Sequence, residues 1–404
     1  ADGPAPYREI HHRIDGSREW LAPEHISLPK LIADHMVLQR DMRVPIWGRA
    51  KPQALVTVEM AGQQPISARV NKRGCWRVLL APMAAGGPFT LTITCGEETK
   101  TLTDVLVGEV WLGAGQSNMT WALAVNPELG PNYQTDQATQ DFVGKGDFPL
   151  IRVSSDAHHL VTPNGGSWVP MPQVTTRFLP SLMTCAAILL QRQLNVPVGI
   201  IVRSFGGTTG VSWVDRDSFE NDPNIKQGMA SYTEVPSSEK EAAYRQAVEE
   251  WKQKAAQARE KQEPAPPAPN APQPGVEMWA QGSELYAHYV TPVLPYAVRG
   301  IVWDQGESGT GVNNVSQADM LYAIAHGWRA AIGNASLPFI YIRKDQYNPL
   351  AAVTARMSTL ANTWMVDNEG LRKDLHPPDK LEYAKRLVQV MTEKVYGGAK
   401  YRVL

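Results

Sequence analysis

Four short strings in this 404-residue chain hold residue types that can carry out acyl transfer. Gly113-Ala-Gly-Gln-Ser117-Asn-Met119 sets a serine hydroxyl in a turn of small residues. Asp374-Leu-His376-Pro377-Pro378 supplies an imidazole and a carboxylate. A hydrolytic serine needs the imidazole to take its proton and the carboxylate to orient that imidazole. Pro377 biases His376 towards extended backbone. Residues i and i+2 of an extended segment share a face, so Asp374 is expected to hydrogen-bond His376. Ser204-Phe-Gly206-Gly207-Thr208 and Trp303-Asp-Gln305-Gly-Glu307-Ser308 offer a glycine N–H and a Gln amide, both suited to a developing oxyanion. Each string has a plainer reading as well. Ser117 caps a helix, Asp374 and His376 form a surface pair, and the glycine strings are turns. Only the combination favours chemistry.

The strings need a scaffold, and the runs before them supply one. Val105–Leu112, Val198–Val202 and Gly300–Trp303 are apolar, β-branched runs leading into three of the strings, with Ile151–Val153 and Pro338–Ile342 of the same texture. Such continuous runs suit parallel strands buried on both faces. Helical stretches at Ser181–Gln193 and Asp319–Ala331 alternate with them, giving a helix-covered parallel sheet with its ligand site at the strand carboxyl ends. Before this, residues 28–104 read as a small antiparallel β-sandwich, with alternating runs at Arg43–Trp47, Leu55–Met60, Trp76–Leu80 and Phe89–Thr94. Residues 1–27 read as an N-terminal arm, and residues 105–404 as the α/β domain. An insertion at 236–276 interrupts that domain. It comprises a polar helix at Ser237–Gln262, with Val248, Trp251 and Ala255 as its narrow apolar stripe, and a linker with six prolines at Glu263–Gly275.

Thirty-nine basic and forty acidic residues leave a net charge of −1, which argues against a nucleic-acid binder. No window approaches the roughly 20 apolar residues of a membrane helix. The sequence begins at Ala1 without a signal-like segment, consistent with a removed leader and a periplasmic or extracellular location. Cys75 and Cys95 flank a hairpin expected between Trp76–Leu80 and Phe89–Thr94, where they face each other and a disulfide is one outcome. Cys185 reads as a buried free thiol. His11-His12 and His158-His159 lack the partner spacing of a metal site, so neither metal nor other cofactor is expected. Trp111 and Trp303 read as core, and Trp121 and Trp213 as pocket rim. Arg203 meets either a sugar carboxylate or an ordinary ion-pair partner.

Met36-Val-Leu-Gln-Arg40, Val107-Gly-Glu-Val-Trp-Leu112 running into Gly115-Gln-Ser-Asn-Met119, Gly206-Gly-Thr208, Trp303-Asp-Gln-Gly-Glu307 and Asp374-Leu-His-Pro377 together resemble one family. It is the sialate O-acetylesterase-like group of the SGNH/GDSL hydrolase superfamily. The resemblance runs from Leu28 to about Lys394, outside the insertion. It implies an SGNH-type three-layer α/β/α domain with five parallel strands in the order 2-1-3-4-5, preceded by a jelly-roll-like β-sandwich. It further implies serine-dependent removal of O-acetyl groups from carbohydrates without a cofactor. Ser117 matches the nucleophile, His376 the general base and Asp374 the orienting acid. The Ser117 and Gly207 N–H groups and the Gln305 side chain match the oxyanion donors. Gln116, Asn118, Trp121, Trp213 and Glu307 are the candidate substrate contacts.

The chain departs from the family where Asp304 replaces a common Tyr, where Gly309 replaces a common Asn, and where Leu285-Tyr-Ala-His-Tyr289 replaces Leu-Tyr-Asn-Gly-Met. His288 then either lines the pocket or packs at the surface. Asp374 stands two residues before His376, where much of the superfamily has three. Asp367, Glu307 or a Ser–His dyad steadied by a backbone carbonyl are the alternatives. Sialic acid, acetylated xylan and related hemicelluloses all fit as substrates, and the oligomeric state is open. A general carboxylesterase and a catalytically silent carbohydrate-binding protein on the same scaffold are the competing classes. With His376 as base, activity is expected to fall below roughly pH 6–7.

Overall fold

The computed structural model describes residues 24–123, 134–157, 166–171, 179–229, 237–261, 282–312, 314–372 and 374–398. Most of the arm, both His-His pairs and the Pro-rich linker lie outside them. The strands are β1 Val37–Gln39, β2 Val44–Arg49, β3 Leu55–Met60, β4 Ile66–Arg69, β5 Cys75–Leu80, β6 Gly86–Cys95, β7 Glu98–Gly115, β8 Ile151–Ala157, β9 Val169–Pro170, β10 Val198–Ser204, β11 Gly300–Asp304, β12 Phe339–Ile342 and β13 Thr363–Val366.

β7 is 18 residues long and changes character half-way. Its first half alternates between exposed and less exposed positions, as in Thr99-Lys-Thr-Leu102, where Thr99 and Thr101 face out and Leu102 is buried, and pairs antiparallel with β6. Its second half, Val105–Gly115, is almost wholly buried and pairs in parallel with β10 and β11. A sheet wet on one face requires the first pattern, and one covered on both faces requires the second. One strand therefore crosses residue 104, where the composition shifts, but with a bulge: Asp104 takes a φ of +53° and the pairing with β6 shifts register beside it.

On the N-terminal side, β4, β3, β6, β7 and β1 form one sheet in that order, and β2 pairs with β5 in another. Val44, Ile46, Trp76 and Val78 from the smaller sheet join Val56, Val58, Leu91 and Ile93 from the larger in one buried cluster. This arrangement corrects the cysteine reading. β5 pairs with β2 and β6 with β3 and β7, so the expected hairpin does not form. Cys75 and Cys95 sit in different sheets and are free thiols. Cys185 is free and buried, as its helical setting suggested.

On the C-terminal side the parallel strands run β8-β10-β7-β11-β12-β13, with β9 antiparallel at the β8 edge. Numbering the five runs read from sequence, the order is 2-3-1-4-5 followed by a sixth strand, rather than 2-1-3-4-5. β13 was missed because its Thr-Trp-Met-Val is half-buried and short, without the continuous apolar run of its neighbours.

Period-2 alternation sorts these strands' side chains onto two faces. Trp111, Ile200, Val202, Val302 and Ile340 meet the helices Ser181–Leu194 and Lys380–Lys394 in one cluster. Val110, Leu112, Ile201, Ile301, Trp303 and Phe339 meet the helix Gln317–Ile332 in the other. The polar helix of the insertion spans Ser237–Glu260, with Val248 and Trp251 half-buried on its stripe. No described helix is long and apolar enough to cross a membrane.

Candidate active site

β10, β7 and β11 end in register, with Ser204, Gly115 and Asp304 side by side across the sheet. The loops that follow must therefore share one space. Gly115 has a φ of +144°, and a Cβ there would lie 2.1 Å from the Asp304 carbonyl oxygen. Only glycine lets the backbone turn so close to β11. The Gln116 N–H then donates to that carbonyl at 3.0 Å. Its side-chain Oε1 accepts from the Gly306 and Ser308 N–H groups at 3.3 and 3.2 Å, and its Nε2 donates to Ser308 Oγ at 3.2 Å. Gln116 is thus a staple between loops rather than a substrate contact.

Ser117 begins a helix of four residues, Ser117–Thr120, a single turn. Its Oγ lies 2.9 Å from His376 Nε2. The imidazole stacks on Trp121 with ring centroids 4.2 Å apart and planes at 14°. Trp121 is itself tied down, its carbonyl accepting from Ser181 N–H at 2.8 Å and Ser181 Oγ at 2.6 Å. Burial lowers the His376 pKa to about 4, with the Lys380 and Lys344 charges adding to the effect and Glu307 opposing it. At neutral pH the ring is therefore uncharged, the form that can accept a proton.

Asp374 does not perform the task the sequence suggests. Its carboxylate pairs with Arg372 at 2.9 Å and is half-exposed. Residues 374–376 bend instead of running extended, so positions i and i+2 do not share a face. Asp367 pairs with Arg343 at 2.7 Å, and Glu307 binds Lys344 at 2.6 Å. Among the described residues none of these three carboxylates hydrogen-bonds His376.

The Ser204–Thr208 loop lies against Ser117, since a Cβ on Gly206 would be 3.6 Å from Ser117 Cβ. Gly207 adopts a φ of +75° there, a left-handed conformation that glycine takes without cost. Gln305 is the exception among the expected oxyanion donors. Its buried Nε2 donates to the Thr208 and Gly309 carbonyls at 3.2 and 3.0 Å, joining two loops with both amide hydrogens.

Asn118, next to Ser117, is buried and fully engaged. Its Nδ2 donates to the Leu375 carbonyl at 3.0 Å and to Glu307 Oε1, and its Oδ1 accepts from Lys380 Nζ at 2.6 Å. Lys344 bridges Glu307 and Asp304. Burial works against the Glu307 carboxylate, but the Lys344 charge and hydrogen bonds from Lys344 and Asn118 outweigh it and hold its pKa below the usual range. A cavity of about 60 Å³ opens beside this cluster, lined in part by Asn118, Glu307, Lys344, Asn368, Lys380 and Tyr383.

Comparison with known proteins agrees with this picture. The chain is 26% identical to sialate O-acetylesterase of Rattus norvegicus over 341 residues, covering 78% of this chain and 59% of that protein. It is 25% identical to the Homo sapiens sialate O-acetylesterase over 327 residues, covering 76% and 53%. This chain is similar to the sialate O-acetylesterases. It spans little more than half the length of these relatives, 59% and 53%. In fold it is similar to a carbohydrate acetylesterase from Xanthomonas citri, with a TM-score of 0.65 and 24% identity over 92% of this chain and 76% of that one. No protein-family model matches the sequence.

Resemblance to the sialate O-acetylesterases does not make every candidate a pocket residue. Trp213 is fully buried, against Tyr289, Trp303 and Trp328, and its Nε1 donates to Thr208 Oγ1 at 2.9 Å. It belongs to the core together with Trp111 and Trp303. Arg203 is buried as well, donating to the Ser154 and Gly166 carbonyls at 3.0 and 3.2 Å, and so meets neither a sugar nor an ordinary surface partner. His288 is exposed, edge-on to Tyr289. Among the described residues no cluster of three His, Cys, Asp or Glu side chains could hold a metal ion. Sequence reasoning missed Lys344 and Lys380. Only Lys380 left a signal, as a cation at the first position of a helix, where the dipole disfavours it.

Proposed function

We propose that this chain is a serine-dependent carbohydrate O-acetylesterase of SGNH type, in which an α/β/α hydrolase domain from residue 105 onwards follows a jelly-roll-like β unit and carries the 236–276 segment as an insertion. The observation that carries this reading is the 2.9 Å contact between Ser117 Oγ and an uncharged His376 at the carboxyl edge of the sheet. Similarity to the sialate O-acetylesterases supports the substrate class.

In this reading Ser117 attacks the acetyl carbonyl while His376 Nε2 takes its proton. The oxyanion is met by the Ser117 and Gly207 backbone N–H groups. The imidazolium returns its proton to the leaving sugar oxygen, and water activated by the same ring releases acetate from Ser117. Asp374 is held by Arg372 in this reading, and Trp121 stacking helps to hold the ring.

The test is acetate release from O-acetylated sialic acids, acetylated xylan and 4-nitrophenyl acetate, with Ser117→Ala alongside. Serine-dependent release from one sugar ester is expected and names the sugar. Cleavage of long acyl esters in preference to acetyl ones would favour a general carboxylesterase. Absence of release from every substrate, or release untouched by the substitution, would overturn the reading in favour of a silent binding protein.

A further inference from the structure

Lys380 is 2% exposed, yet among the described residues no carboxylate lies within ion-pairing distance of its ammonium. Its contacts are Asn118 Oδ1 at 2.6 Å and the face of Tyr383, 5.7 Å from the ring centroid. It is also the first residue of the helix Lys380–Lys394, whose N-terminal dipole repels a cation. Burying an ammonium without a counter-ion and setting it against a helix dipole are both unfavourable. A group kept in place against both has a use beyond packing.

That use follows from what an ammonium can do. It only donates, so the Asn118 oxygen must face it and the Asn118 NH₂ must face away. The two amide hydrogens then reach Glu307 on one side and the Leu375 carbonyl on the other. Leu375 immediately precedes His376, and Asn118 immediately follows Ser117. The amide is therefore a clasp across the two strings, and its direction is set by Lys380. We propose that Lys380 is a positioning residue, which through Asn118 holds the His376 loop against Ser117.

This inference rests on the proposed Ser117–His376 chemistry. Several other charges surround the ring. Glu307 and Asp304 follow and end β11, Lys344 follows β12, and Asp379 precedes the Lys380 helix. Arg372 and Asp374 are paired on the loop itself, and Arg343 and Asp345 line the same cavity as Lys380. Lys344 is neutralised by Asp304 and Glu307, which leaves Lys380 as the cation whose charge is not matched by a contacting carboxylate. Burial and Lys344 draw its own pKa down to about 8, against Asp304 and Glu307, so it stays charged at neutral pH.

The experiment is a titration of the His376 Cε1–H by NMR in the wild type and in Lys380→Met, with His376→Asn for assignment, beside kcat and KM for 4-nitrophenyl acetate. Removal of the cation is expected to raise the His376 pKa by about one unit. It should also lower kcat about 10- to 100-fold with KM nearly unchanged, since a displaced base affects the reacting geometry. Lys380→Gln keeps a donor to Asn118 without the charge, and replaces Lys380→Met if that variant does not fold. It should raise the same pKa and lose less in kcat. Lys380→Arg should leave the titration where it is. An unchanged His376 titration together with unchanged kcat in a folded neutral variant would overturn the inference. Because the titration needs no substrate, it reads this inference even if the wild type releases no acetate.

Discussion

At the scale of single residues, the catalytic reading makes three predictions. Ser117→Ala should lower acetate release on the order of 10³-fold or more, measured as kcat/KM. Asp374→Ala should cost less than about fivefold, because an exposed ion pair such as Arg372–Asp374 is worth about 0–1 kcal/mol. Plotted against pH, kcat/KM should hold well below the pH 6–7 expected of a free imidazole. Burial first, and then Lys380, lower the His376 pKa to about 4, so the base remains unprotonated until the pH falls towards that value. An acid limb near 6.5 would show that the ring is solvated rather than enclosed. Ser117 and His376 were legible from the sequence because serine turns and His-Pro strings are local. Asp374 misled because a two-residue spacing orients a side chain only if the backbone is extended, and here it bends. Gln305 and Gln116 were legible as site residues but not in their roles. A Gln amide has the same chemistry whether it meets an oxyanion or a neighbouring loop, and only tertiary packing decides.

At the scale of elements, composition carried most of the strands and helices, since continuous apolar runs and alternating runs demand different sheets. It did not carry strand order, which depends on how connections cross the sheet. Ile151–Ala157 therefore sits one strand further from β7 than the family pattern implies, beyond β10. It did not carry pairing partners either, and Trp76–Leu80 looked like half a hairpin because its true partner, β2, lies some thirty residues upstream. The site depends on how closely these elements approach. Gly115→Ala would set a methyl against the Asp304 carbonyl and force a non-glycine residue to a φ of +144°. We expect it to cost on the order of 3 kcal/mol or more in a denaturant melt. Acetate release should fall with it, because the same turn aims Ser117.

At the scale of the whole molecule, Glu109 is the junction. It is fully buried in the middle of β7 and accepts from Arg40 Nε at 2.6 Å, Arg299 Nε at 2.9 Å, Tyr396 OH at 2.8 Å and Gln39 Nε2 at 3.1 Å. These donors come from the end of β1 and just after it, from before β11 and from beyond the last helix, so one carboxylate ties together parts of the chain 287 residues apart. Burial raises its pKa, but Arg299, Arg40 and Tyr396 together outweigh that and hold it below the usual carboxylate range. Its stabilisation is accordingly present above the pKa of an unfolded Glu and lost as pH falls through the folded value. Glu109→Ala removes the carboxylate from two part-exposed guanidinium groups and should cost about 1.5–3 kcal/mol, read as a lowered thermal midpoint. Nothing in the string Val-Gly-Glu-Val-Trp announces this, because its partners are distant in sequence. The same strand has a mechanical consequence. β7 belongs to both sheets as one strand, bent at Asp104, whose φ is +53° and whose carboxylate is pinned by His35 Nδ1 at 2.7 Å and Arg152 at 2.9 Å. We expect this pinned bend to keep the β unit from swinging as a lid over the strand ends that carry Ser117. In calorimetry the two halves should melt together, as a single girder rather than as two beads on a string.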